Sequence, residues 1–190
     1  MLMDRIIGAF TFRRGVYAEV EKDTTFTTTA WLLVIVIGFL NQVGANATTN
    51  PIRWLIGSVV GAIFVVIAFA AAAFVVDLVG RTVFRADVIF NELVRTLGLA
   101  YVWNIVGLIG GIAAFSPVLS CLTAPAVLAG AILGLIAWFV AAKEALDLEW
   151  VPTVVTVIIG WIVLVAIIAI GGVLLALAGL GAAALGGLLA

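Results

Sequence analysis

Charge meets long apolar runs at three places in this sequence. Asp77 and Arg81 stand four residues apart, Glu92 and Arg95 three apart, and Lys143, Glu144 and Asp147 fall within five positions. At such spacings on a helix the side chains share one face, so the first two pairs are built for ion pairing. Chemically, these clusters allow recognition of a polar headgroup or of a charged partner. Interfacial acids such as Asp77 and Asp147 would also suit a lipid-modifying enzyme, a weaker reading. Two structural readings stay side by side. Either the charges simply mark helix ends and snorkel to the membrane surface, or the seven residues meet as one polar site.

The chain has no histidine and one cysteine, Cys121. The commonest general base and metal ligand are therefore missing, and no intrachain disulfide can form. There is no H-E-x-x-H, no Cys/His metal set and no Gly-rich phosphate loop. No pair of carboxylates lies at mid-depth of an apolar run, as a proton relay requires. The expectation is a non-catalytic protein with neither cofactor nor metal.

The elements that must position these clusters follow from composition. Hydrophobic residues make up 66% and charged residues 10%, with a mean hydropathy of +1.38. So few charges cannot cover a water-facing surface, so the bilayer must solvate most side chains. A span needs about 20 mostly apolar residues. Five segments qualify, at 27–44, 54–76, 97–115, 118–142 and from 151 onward. The sequence thus predicts an all-α, polytopic transmembrane bundle of five spans. Gly171-Gly172 allows a sixth as the runner-up. Residues 1–23 carry Leu2, Ile6, Ile7 and Phe10 at helical spacing and read as a short amphipathic interfacial segment, not a signal peptide. The division is 1–23 amphipathic, 24–177 spanning, and 178–190 a Gly/Ala-rich tail.

Of nine basic and ten acidic residues, only Arg53 falls on the far side of these spans. That asymmetry is a positive-inside signal, which puts the N-terminus in the cytoplasm and, with five spans, the C-terminus outside. Spans two, three and four each carry G-x-x-x-G: Gly57 with Gly61, Gly107 with Gly111, and Gly130 with Gly134. Small residues four apart let backbones approach, here chiefly within the chain. Asn104 is expected to join helices as a buried amide, and Pro125 to kink span four.

Three segments carry a resemblance. They are Arg14-Gly-Val-Tyr-Ala-Glu-Val-Glu-Lys-Asp23, Glu92-Leu-Val-Arg-Thr-Leu-Gly-Leu-Ala-Tyr101 and Ala141-Ala-Lys-Glu-Ala-Leu-Asp147. Together they resemble the prokaryotic branch of the Yip family, the Ypt/Rab-interacting membrane proteins, over about residues 10 to 170. The resemblance implies five spans with a cytoplasmic N-terminus. Where many members have a proline soon after the Ala-Tyr pair, this chain has Trp103-Asn104. Eukaryotic relatives bind Rab-type GTPases, and that partner is not carried over.

The expected function is a membrane adaptor or organiser in a prokaryotic plasma membrane, with lipids and a cytoplasmic or membrane protein as partners and no nucleic acid. The oligomeric state is left open. The alternative is a small transporter or channel, which a water-accessible cavity at Asn104 would favour.

Overall fold

A computed structural model describes residues 1–114 and 116–180 of the chain. Among these, every regular element is helical. Two short helices, α1 (Leu2–Phe10) and α2 (Val16–Lys22), precede α3 (Phe26–Ala45) and α4 (Pro51–Val83). Then come α5 (Phe90–Ala100), a 3₁₀ segment (Tyr101–Ala114), α6 (Pro117–Leu146) and α7 (Trp150–Leu177). Five stretches are long and apolar enough to cross a membrane: α3, α4, Phe90–Ala113, Val118–Leu146 and α7. The chain is a multi-pass transmembrane helix bundle.

Local chemistry sets the boundaries. Asn50 caps α4, its side chain accepting from the amides of Ile52 and Arg53 at 3.1 Å each, with Pro51 in the first turn. Both devices satisfy or remove amides that have no partner at a helix start. At the other end α4 runs to Val83, seven residues beyond its expected end, so Asp77 and Arg81 lie inside it. Asp147, with φ 50°, ends α6 in the left-handed conformation. Gly15, with φ 78°, does the same between α1 and α2, where its missing Cβ removes the strain. Gly171-Gly172 does not interrupt α7, because Gly171 is where α7 meets Phe64 of α4. The expected tail is described only through Leu180; residues 181–190, and with them the runner-up sixth span, lie outside the described residues.

The third crossing departs from the expected continuous α-helix. It changes to 3₁₀ at Tyr101, beside the Trp103-Asn104 pair. Packing explains this. It runs parallel to α3, with Gly98 against Ala30 and Gly107 against Gly44. Fourteen residues of α3 thus face nine of its neighbour, and the larger 3₁₀ rise of about 2.0 Å against 1.5 Å makes up part of that difference.

The 3₁₀ segment sits between α3 and α6, α3 also lies on α4, and α4 makes its most extensive contact with α7. Phe69 of α4 is the hub. Its ring meets Trp31 of α3, Tyr101 of the 3₁₀ segment and Trp138 of α6 edge to face, at 5.6, 5.6 and 5.9 Å. Such pairs add about 0.5–1.5 kcal/mol each beyond area burial. The buried stripe of α4 is otherwise mostly small: Gly57, Gly61, Ala68, Ala72, Ala73 and Gly80. In lipid, close van der Waals packing along such a stripe is what holds helices together. Ile35, Ile63, Ile67, Ile132 and Ile162 point outward, as a bilayer solvent requires.

Candidate functional site

The charged end of the bundle carries the sequence clusters. Asp77 is 1% exposed, and one carboxylate oxygen accepts from Arg81, which is half exposed. Its other oxygen has no partner among the described residues. Glu92 reaches back to the amide of Ile89 at 3.0 Å, capping α5, and lies 4.0 Å from Arg95. Arg95 is buried, and it donates to the carbonyl of Glu21 and to the hydroxyl of Thr27 at 3.4 Å. Lys143 donates to the carbonyl of Leu148 at 3.3 Å and stands 5.4 Å from the Trp150 ring.

These contacts sort the predicted residues. Asp77 joins Arg81, and Glu92 joins Arg95. Among the described residues no ion pair links Arg95 to Asp77 or Asp147, a cross-span pairing that a shared site would favour. The longer reach of Arg95 goes instead to α2 and α3. A residue the sequence clusters omitted does bring elements together. The carboxyl of Glu21 in α2 is raised from its ordinary value, first by burial, then by the negative charges of Glu92 and Asp147, with a lowering by Lys22 next and a last, smallest raising by Glu144. So acids from α2, α5 and the end of α6 converge there. Two residues on, Asp23 is lowered, first by the Thr25 hydroxyl and then by Arg5. Oppositely shifted neighbours mark where the surface changes from acid-rich to donor-rich.

Helix α1 folds against this end. Phe10 and Phe12 pack on Trp103 at 4.9 and 5.7 Å, and the Trp103 indole donates to the Ala9 carbonyl at 3.3 Å. Gly8 lets α1 approach Val16 of α2. Leu2, Met3 and Ile7 stay exposed, the apolar face of an interfacial helix.

The opposite end has almost no charge but a polar network of its own. Asn41 donates to the Asn104 carbonyl at 2.7 Å, Asn46 to the Gln42 side chain at 2.9 Å, and the Trp54 indole to the Val43 carbonyl at 2.7 Å. The side chain of Asn104 donates at 3.2 Å to Tyr101 of its own segment, so the bond joining helices uses its backbone instead. The glycine motifs border this network. A Cβ on Gly107 would strike Asn41, on Gly61 the Gln42 amide, and on Gly44 the Gly107 carbonyl. Gly130 faces Val106, Gly134 faces Trp103, and a Cβ on Gly111 would come within 3.3 Å of the Gly44 Cα. In α6 the helix continues through Pro125, with Thr123 donating to the Leu119 carbonyl at 3.1 Å.

Beside Asn104 lies a cavity of about 60 Å³, lined by Tyr101, Gly134, Leu135, Trp138, Trp161 and Leu164 among others. It has room for a few waters, and Tyr101 and Asn104 are among its polar lining residues. No family model, curated protein or solved structure matches the chain.

Proposed function

We propose that the chain is a non-catalytic adaptor or organiser of a prokaryotic plasma membrane, of the Yip type its sequence resembles, binding partners or lipids at its charged face. The observation that carries this reading is that α2, α5 and α6 pack on one another at that face and carry Glu21, Glu92, Glu144 and, at the end of α6, Asp147. Like charges gathered around Glu21 suit a basic partner segment, whose arrival relieves the repulsion there. The aromatic hub and small-residue stripe supply a rigid frame beneath them. The charge asymmetry orients this face to the cytoplasm and the C-terminus outside.

Photo-crosslinking from position 144 in native membranes tests the reading. A discrete protein adduct is expected, and reversing Glu21 to lysine should abolish it. An adduct pattern unchanged by Glu21→Lys would contradict the adaptor reading. The cavity at Asn104 favours a second reading, a small transporter. Substrate-dependent solute flux in proteoliposomes, lost on Asn104→Leu, would establish that alternative.

A further inference from the structure

At the charged end, where α1 crosses the start of α3, a cleft of about 280 Å³ is lined by Met1, Leu2, Arg5, Asp23, Thr25, Phe26 and Thr29. Its hydrogen-bonding capacity is lopsided. Both oxygens of Asp23 are engaged: one accepts from Arg5 at 2.7 Å, the other from the Thr25 amide and hydroxyl at 3.1 and 2.5 Å. Arg5 has five N–H donors, and among the described residues that single bond uses one of them. The guanidinium is held in place from below by the Phe26 ring, 5.1 Å from its centre. The Thr29 hydroxyl, half-buried in the cleft wall, has no hydrogen-bond partner among the described residues. The cleft therefore offers unspent donors, one of them cationic and fixed, while both oxygens of its one carboxylate are already bonded. Leu2 and the exposed apolar face of α1 border it.

We propose that this cleft binds the headgroup of a phospholipid in the leaflet at the charged end, its phosphodiester accepting from Arg5 and Thr29. Three features select a lipid. The donors match phosphate oxygens, and a planar guanidinium is the side chain best shaped for them. The cleft lies at the foot of a spanning helix beside an interfacial helix, the depth at which phosphates sit. Leu2 supplies an apolar border where the glycerol and first methylenes leave the cleft. The bound lipid would pin α1 to α3. The inference rests on the proposed function only in taking this end as the binding face.

The test uses the full chain, delipidated in detergent and titrated with dioleoyl phosphatidylglycerol under native mass spectrometry. One tightly held lipid is expected. Arg5→Gln should weaken it more than about tenfold, Thr29→Val about threefold to tenfold, and Arg14→Gln not at all. Thr29→Val leaves the Arg5–Asp23 pair intact, so it decides the matter even if Arg5→Gln unfolds the end. Thr29→Val binding lipid like the parent would overturn the proposal, as would inorganic phosphate or glycerophosphoglycerol competing as well as the whole lipid. Loss of protein crosslinks with lipid binding retained counts against the adaptor alone. Crosslinks retained without a specific lipid count against the cleft alone.

Discussion

The two ends of the bundle use polar groups in opposite ways. At the charged end most spanning-segment charges bond within their own neighbourhood: Arg81 to Asp77, Glu92 to Ile89 and Arg95, Lys143 to Leu148. At the other end neutral amides, an indole and a hydroxyl bond to different helices, as Asn41 does to Asn104 and Ser58 to the Gln42 carbonyl at 3.3 Å. Ions are costly at mid-depth of a bilayer, so they gather at one end of the spans, and the two buried there among the described residues, Asp77 and Arg95, each hold a bonded partner. Neutral groups can enter the bilayer provided they find a partner helix, so they fix register.

The comparison breaks most sharply at the glycines. Gly44→Leu would drive a side chain into the Gly107 carbonyl, and backbone cannot step aside easily. We expect a loss of about 3 kcal/mol or more, read as a collapsed melting transition in detergent. Gly172 faces open space, so Gly172→Leu should melt like the parent. Equal effects at the two positions would remove the packing argument.

A smaller effect separates the amides from the ions. Asn41→Leu deletes the bond to Asn104 and should lower stability by about 1–2 kcal/mol. Arg13→Gln removes an ion pair to Glu19 that is about half exposed on both sides, 46% and 48%. Its effect should be within about 0.5 kcal/mol and vanish in high salt. If Arg13→Gln proved the more damaging, neutral cross-links would not be what holds the helices.

Between these lies a pH signature. A raised acid binds protons more readily when folded, so its stabilising share is present at low pH and lost as pH rises through the folded pKa. Glu21→Gln should therefore stabilise the chain above the ordinary carboxylate range and leave it unchanged at acid pH. Asp23 is lowered, so Asp23→Asn should destabilise at neutral pH, the deficit fading as pH falls through its folded pKa. Parallel melting curves from about pH 2 to 8, parent against each variant, read both signs.

Hydropathy spacing makes the five crossings legible, because a run of about twenty apolar residues matches the thickness of the hydrocarbon layer. The ends of α4 and the 3₁₀ turnover at Tyr101 are not legible, since they depend on how long a neighbour must run to keep contact. Asp77 and Arg81 can be paired from spacing alone, as can Glu92 and Arg95. Glu21 cannot be joined to Glu144 and Asp147 that way, because they meet through tertiary folding across more than a hundred residues. Asn41, Gln42 and Asn46 do carry a signal, amides at the end of an apolar run, but nothing in the sequence names their acceptors. Arg5 and Asp23 look like scattered surface charges until α1 folds back onto α3.

The central claim is that the charged end faces the cytoplasm. Single cysteines in a Cys121→Ser background, one replacing Thr48 between α3 and α4 and one replacing Asp87 between α4 and α5, test it directly with a membrane-impermeant maleimide. Intact cells should label position 48 at once and position 87 only after permeabilisation. Labelling of position 87 but not 48 in intact cells would contradict the account and place its binding face outside.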